Sequence, residues 1–125
     1  MSLLKGKRAE MLAEQFLNKN NLATLKRNYL CRLGEIDLIM MDNDEVVFVE
    51  VRARQKSEFG SAAETVDQNK QRKIIASAKL FLLEHPNLNK HMCRFDVFEF
   101  NNFNDSNHEH VWIKDAFMLN TFSIF

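Results

Sequence analysis

Two acids and a cation in GEIDLIMMDNDEVVFVEVRAR, the run from Gly34 to Arg54, have the types and spacing for phosphate chemistry. Asp37 and Glu50 flank the polar run Asp42-Asn43-Asp44, and Arg52 follows Glu50 by two positions. Mg²⁺ is bound through oxygen, commonly by one or two carboxylates plus water. Two carboxylates side by side supply that set, and the Val51 carbonyl is placed to add a further oxygen. An ion so held polarises a phosphoryl oxygen and makes water a better nucleophile. A basic residue two positions on, on the same strand face, counters charge developing on the phosphate.

These residues meet only if the segment is a hairpin. Strands are expected from about Glu35 to Met41 and from about Glu45 to Arg54, with Asp42, Asn43 and Asp44 as turn formers. A two-residue turn at Asn43-Asp44, or a four-residue loop from Asp42 to Glu45, sets Met41 opposite Val46 and Ile39 opposite Phe48. Counting outward, Asp37 then faces Glu50 and Glu35 faces Arg52. Directly opposed residues hold their Cβ atoms about 4.5–5.5 Å apart, so the two acids repel unless positive charge lies beside them. The other face, Ile36, Leu38, Met40, Val47, Val49, Val51 and Ala53, is uniformly apolar and reads as core. A solvated face laced with salt bridges is the competing explanation. Against it, Ile39, Met41, Val46 and Phe48 make the same face apolar near the turn, and the acids face each other.

The surrounding elements follow from periodicity. Leu3 to Asn18 predicts a helix with Ala9, Leu12, Ala13 and Phe16 on one side, stopped by Asn18 to Asn21. Ala23 to Cys31 predicts a strand that Lys26 to Asn28 interrupts. Arg54 to Ala63 reads as a loop. Thr65-Val-Asp-Gln68 fits a capping box opening a helix from about Val66 to Glu84, before Pro86. Its apolar stripe is Val66, Ile74, Ala78 and Phe81, and Lys70 falls in line with Val66 and Ile74. Strands from Cys93 to Phe100 and from His110 to Lys114 flank a polar loop, Asn101 to Glu109. Asp115 is a candidate cap for a last turn, Ala116 to Leu119. The order is α-β-β-β-α-β-β with a short terminal helix.

The chain has 125 residues, suited to one domain, and 46% are hydrophobic. No apolar run approaches the roughly 18 residues of a membrane helix, and no secretion signal opens the chain. The expected location is cytoplasmic, with no membrane partner. Lys plus Arg and Asp plus Glu number 17 each, which argues against non-specific coating of nucleic acid but not against a local basic patch. Lys5, Lys7 and Arg8, then Arg52, Arg54 and Lys56, then Lys70, Arg72 and Lys73 form such groups. Cys31 and Cys93 are read as reduced packing residues.

Taken together, Gly6 with Glu10 and Ala13, Gly34-Glu-Ile-Asp-Leu-Ile39, Phe48-Val-Glu-Val-Arg-Ala-Arg54, Lys70, Arg94-Phe-Asp-Val97 and Ala116-Phe117 resemble the YraN family. Its members are small, endonuclease-like bacterial proteins of the PD-(D/E)xK superfamily, similar in their core to archaeal Holliday junction resolvases. The resemblance covers almost the whole chain. It implies one restriction-endonuclease-like domain over 1–125, α/β, with a mixed β-sheet flanked by helices, and a Mg²⁺- or Mn²⁺-dependent nuclease site. Asp37 and Glu50 would be metal ligands and catalytic residues, and Glu10 an accessory acid at the same ion. Arg52, Arg54 and Lys70 would contact DNA or branched nucleic acid. Arg52 stands where the superfamily usually has lysine. It keeps the charge and can grip a phosphate in bidentate fashion but cannot serve as a base. Lys70 is the candidate substitute, with snorkelling from an apolar stripe as the alternative. Junction-cleaving relatives act as dimers, which makes a homodimer possible here.

Other features carry less. His108-Glu-His110 is short of a metal site and reads as surface. Arg94 and Asp96 share a strand face and suit an internal ion pair. Phe117, Phe122 and Phe125 suit a packed tail. Two rivals to the nuclease stand: a non-catalytic nucleic-acid-binding module of the same fold, and a salt-bridged scaffold for protein contacts.

Overall fold

Apolar residues alternating along the first half of the chain build three consecutive antiparallel strands, and a longer connection then adds two more. The computed structural model describes residues 3–54, 66–103 and 109–118, with side chains from Gly6 on. Helix α1 (Leu3–Lys19) precedes β1 (Leu22–Cys31), β2 (Gly34–Asp42) and β3 (Glu45–Ala53). Helix α2 (Gln68–Glu84), a 3₁₀ turn (Pro86–Leu88), β4 (Met92–Asn101) and β5 (Glu109–Phe117) follow. The strands lie side by side in chain order as one five-stranded sheet. Every neighbouring pair is antiparallel except β3 and β4, which are parallel. A parallel pair needs a crossover, and α2 supplies it. This is the expected mixed sheet with its helices and its α-β-β-β-α-β-β order.

The helices cover opposite faces. Ala9, Ala13 and Leu17 of α1 pack on Leu38, Met40, Val47 and Val49. Ile74, Ala78 and Phe81 of α2 pack on Ile39, Val46, Phe48 and Phe95. Phe48 stacks on Phe95 with ring centroids 5.3 Å apart, and Phe95 on Phe117 at 5.1 Å. Among the described residues no helix is long and apolar enough to cross a membrane.

Three boundaries differ from expectation. Helix α2 starts at Gln68, not Val66, with Asp67 as N-cap accepting the Lys70 backbone N–H at 2.8 Å. Aspartate is as good a cap as threonine, and starting later leaves Val66 free to bury in the core, 2% exposed. Thr65 and the loop residues after Arg54 lie outside the described residues. At the other end, Ala116 and Phe117 continue β5 where a helical turn was expected. Burial of Phe117 against Phe95 holds them in the sheet. Asp115 is the irregular residue there, with φ 55°, and its N–H donates to Asp96 Oδ1 at 3.0 Å. Leu119, Phe122, Phe125, Lys56 and His108 lie outside the described residues.

The β2–β3 turn is the expected one. Asp42 pairs with Glu45, Met41 with Val46 and Ile39 with Phe48, leaving Asn43 and Asp44 as a two-residue turn. Asn43 has φ 55°, a conformation asparagine tolerates well. Beside that turn the Arg94–Asp96 ion pair is present at 3.0 Å, and Arg94 also reaches Asp42 and Glu45, each at 2.9 Å. His110 is exposed, and its ring packs on Phe16 and Phe98.

Candidate metal and phosphate site

At the end of β2 away from its turn, the regular ladder fails, and that failure makes the site. Paired Cα positions of β2 and β3 stop at Leu38–Val49. Asp37–Glu50 and Glu35–Arg52 are therefore not the rungs the sequence count placed there. Alternation also breaks. Leu38 and Met40 face α1, yet Ile36 joins Ile39 and Phe48 on the α2 side, so the expected uniform apolar face excludes Ile36. Across from Asp37, between the pairs Arg27–Leu38 and Tyr29–Ile36, Asn28 has φ 49°. β1 and β2 keep one register on either side of it, whereas the β2–β3 pairs end at Leu38–Val49, and Asp37 lies just past that last rung.

Asp37 is held there by Val51, whose backbone N–H donates to Oδ2 at 2.8 Å. Burial is the main cause lifting the Asp37 pKa well above the usual carboxylate range, followed by the charge of Glu50. The Val51 N–H opposes the rise, while the charge of Glu10 and a carboxyl–carboxyl hydrogen bond with Glu50 add to it. Asp37 is thus held toward its neutral form by its surroundings and by the neighbouring acid. The sheet end joins both layers: Glu10 arrives from α1, Asp37 and Glu50 from the strands, and Lys70 from α2. Glu50 is only 5% exposed, and Lys70 Nζ lies 3.3 Å from its Oε2. Glu10 Oε1 accepts from Asn28 Nδ2 at 2.7 Å.

The donor set fits a hard divalent cation. A buried and a half-buried carboxyl group side by side are what such an ion neutralises, and Mg²⁺ needs no more than two of them beside water. Among the described residues no three His, Cys, Asp or Glu side chains form a group able to hold a metal. An ion here would rest on Asp37 and Glu50, with Glu10 shaping the field around them.

The remaining expected residues divide. Arg52 is half-buried near the end of β3, level with Glu99 of β4. Arg54 is turned inward, 6% exposed, with its Nη1 3.8 Å from Glu99 Oε1. Glu35 is exposed and pairs with Leu30 of β1. Asn28 was not foreseen as part of the site. Its sequence signal was an asparagine inside a strand, since Asn is enriched among left-handed residues.

Glu10, Asp37, Glu50, Arg52 and Lys70 all lie within residues 9–100, which match the profile of "Uncharacterised protein family UPF0102". The chain belongs to the UPF0102 family. This is the family to which the YraN resemblance pointed. A UPF0102 protein of Ectopseudomonas mendocina (strain ymp) is 44% identical over 112 residues, 90% of this chain and 92% of its own. One from Stutzerimonas stutzeri (strain A1501) is 53% identical over 92 residues, 74% and 77% of the two chains. A third, from Pseudomonas aeruginosa (strain LESB58), is 44% identical over 114 residues, 90% and 91%. UPF0102 membership therefore takes in every element from within α1 to β4.

Proposed function

We propose that this UPF0102 chain is a nuclease of restriction-endonuclease-like fold that binds DNA or branched nucleic acid and hydrolyses phosphodiesters with Mg²⁺ or Mn²⁺. One observation carries the reading. Asp37 and Glu50 come together where the β2–β3 ladder ends, with the Lys70 ammonium 3.3 Å from Glu50 Oε2. A purely structural end of a sheet gains nothing from setting two acids together, since like charges repel.

Asp37 and Glu50 would hold the ion, and Val51 N–H fixes the direction from which Asp37 does so. When bound, the ion supplies positive charge and Lewis acidity next to the phosphate. Lys70, its side chain 48% exposed, is open enough to swing from Glu50 to a phosphate oxygen. Arg52 binds phosphate and stays protonated throughout, so it moves no proton.

The test is cleavage of linear, flap and four-way DNA with Mg²⁺ or Mn²⁺ by the native protein, Asp37→Ala and Glu50→Ala. Loss of cleavage in both variants supports the nuclease. Equal cleavage by all three removes it. The second reading is a non-catalytic nucleic-acid-binding module, favoured by Arg52 standing where the superfamily carries lysine. Tight binding with no cleavage by any of the three proteins selects that reading.

A further inference from the structure

Helix α2 carries more apolar surface than the sheet covers. The residues it buries are Ile74, Ser77, Ala78 and Phe81. Arg72, Ala76, Leu80 and Leu83 recur at intervals of three and four, so they form a second stripe on the same helix. Leu83 is 73% exposed, and Leu33 in the β1–β2 turn is 36% exposed. Gly34 lets that turn lie close against the helix, because a Cβ there would stand 3.1 Å from Ser77 Oγ and 3.4 Å from Lys73 Cβ. Between the turn and the helix runs an open groove of about 380 Å³, within the range of ligand pockets.

The groove has an apolar floor and a cationic rim. Leu33, Ile75, Leu80 and Leu83 make the floor, and Arg32, Arg72 and Lys79 supply the charge. Arg32 and Arg72 are exposed. Arg72 Nη1 donates to Asn69 Oδ1 at 3.1 Å, which steadies the side chain without exhausting the five N–H donors of a guanidinium. Among the described residues lining the groove, none is acidic and none is aromatic. Nucleic-acid bases would therefore find no ring to stack on. A second copy docked about a two-fold axis would set this patch against itself, cation against cation with no acid between them. A partner that brings negative charge and aliphatic surface together satisfies both the rim and the floor.

We propose that the groove between α2 and the β1–β2 turn docks an acidic peptide segment of a partner protein, one that interleaves carboxylates with bulky aliphatic side chains. The aliphatic side chains cover Leu33, Leu80 and Leu83, and the carboxylates accept paired hydrogen bonds from Arg32 and Arg72. Asp37, Glu50 and Lys70 are not among the lining residues, so docking needs neither the ion nor cleavage.

The experiment is calorimetry of the full chain in EDTA with a short synthetic peptide of aspartate and leucine. Replacing its aspartates by asparagine, or its leucines by glycine, is expected to weaken binding by at least about tenfold, as loss of charge-assisted hydrogen bonds or of buried leucines does. Arg72→Glu is expected to weaken binding of the unaltered peptide by a similar factor. So is Leu83→Ser, a change at a side chain already in solvent that leaves the fold intact. A peptide that binds no tighter than its asparagine or glycine counterpart overturns the proposal, as does an affinity that neither variant changes. Oligothymidylate binding more tightly than the peptide and lost in Arg72→Glu, or self-association lost in Leu83→Ser, gives the groove to another occupant and overturns it too.

Discussion

Lys70 Nζ stands 3.3 Å from Glu50 Oε2, joining an ammonium that is 48% exposed to a carboxylate that is 5% exposed. The helix and the sheet meet through this pair, and its two halves differ in their freedom. Glu50 is fixed by burial, while Lys70 can leave.

Lys70→Gln is expected to separate stability from activity. A pair with one half in solvent contributes less than about 1 kcal/mol, so the urea midpoint should move little. Phosphodiester cleavage should fall by about a hundredfold, the usual effect of losing one charge-stabilising group. A large loss of stability with unchanged cleavage would make Lys70 structural.

Asp37→Asn is expected to stabilise the protein in chelator at neutral pH. In the folded chain Asp37 keeps its proton above the usual aspartate pKa of about 3.9, where the unfolded chain has released it. The folded state then binds more protons, so native stability falls as pH rises through that window and levels off above the folded pKa. Asparagine retains an oxygen for Val51 N–H and removes the titration. Melting curves from pH 4 to 8 should show a higher, flatter profile for the variant. A lower melting temperature at every pH contradicts this account.

Mn²⁺ should stabilise the native protein, more strongly at pH 8 than at pH 5, because binding displaces the proton on Asp37. At about a hundred times its dissociation constant the ion adds roughly 2.7 kcal/mol. Calorimetry on the native protein and on Asp37→Asn checks it. Equal binding by both would place the ion elsewhere.

Asp96→Ala should cost about 3–5 kcal/mol, as when one partner of a buried ion pair is removed. Asp96 is 0% exposed and accepts from Arg94 Nε at 3.0 Å, Trp112 Nε1 at 2.9 Å and the Asp115 N–H at 3.0 Å. Urea unfolding measures it, and a cost below about 1 kcal/mol would show that this network is not what anchors β5.

Gly34→Ala should destabilise by about 1–3 kcal/mol, the usual cost of a strained backbone position. Gly34 has φ 152°, a conformation L side chains rarely adopt, and a Cβ there would also press on Ser77. Thermal unfolding reads the loss.

Periodicity carried most of the architecture. Ile74, Ala78 and Phe81, spaced for a helix, are the residues that α2 buries, and the Asn43-Asp44 turn fixed the pairing of Ile39 with Phe48. Counting rungs outward from that turn failed at Asp37. A count assumes that both strands stay paired along their length, and the β2–β3 pairs end at Leu38–Val49. The meeting of Asp37 with Glu50 was legible all the same, because both lie at the same distance from the turn. Burial of Arg54 was not legible, since it depends on Glu99 of β4, a partner that no local pattern discloses.

The parallel pairing of β3 with β4 has a consequence for the order of assembly. β1, β2 and β3 are joined by short turns and can associate early, whereas β4 must wait for the chain between Ala53 and Met92 to travel across the sheet. The acids Asp37 and Glu50 belong to the early unit, and Lys70 arrives with the late one. A chain arrested before the crossover closes would carry the acids without their ammonium. Proximity of Lys70 to Glu50 is therefore a kinetic marker of completed folding, which a cross-link between those positions can time.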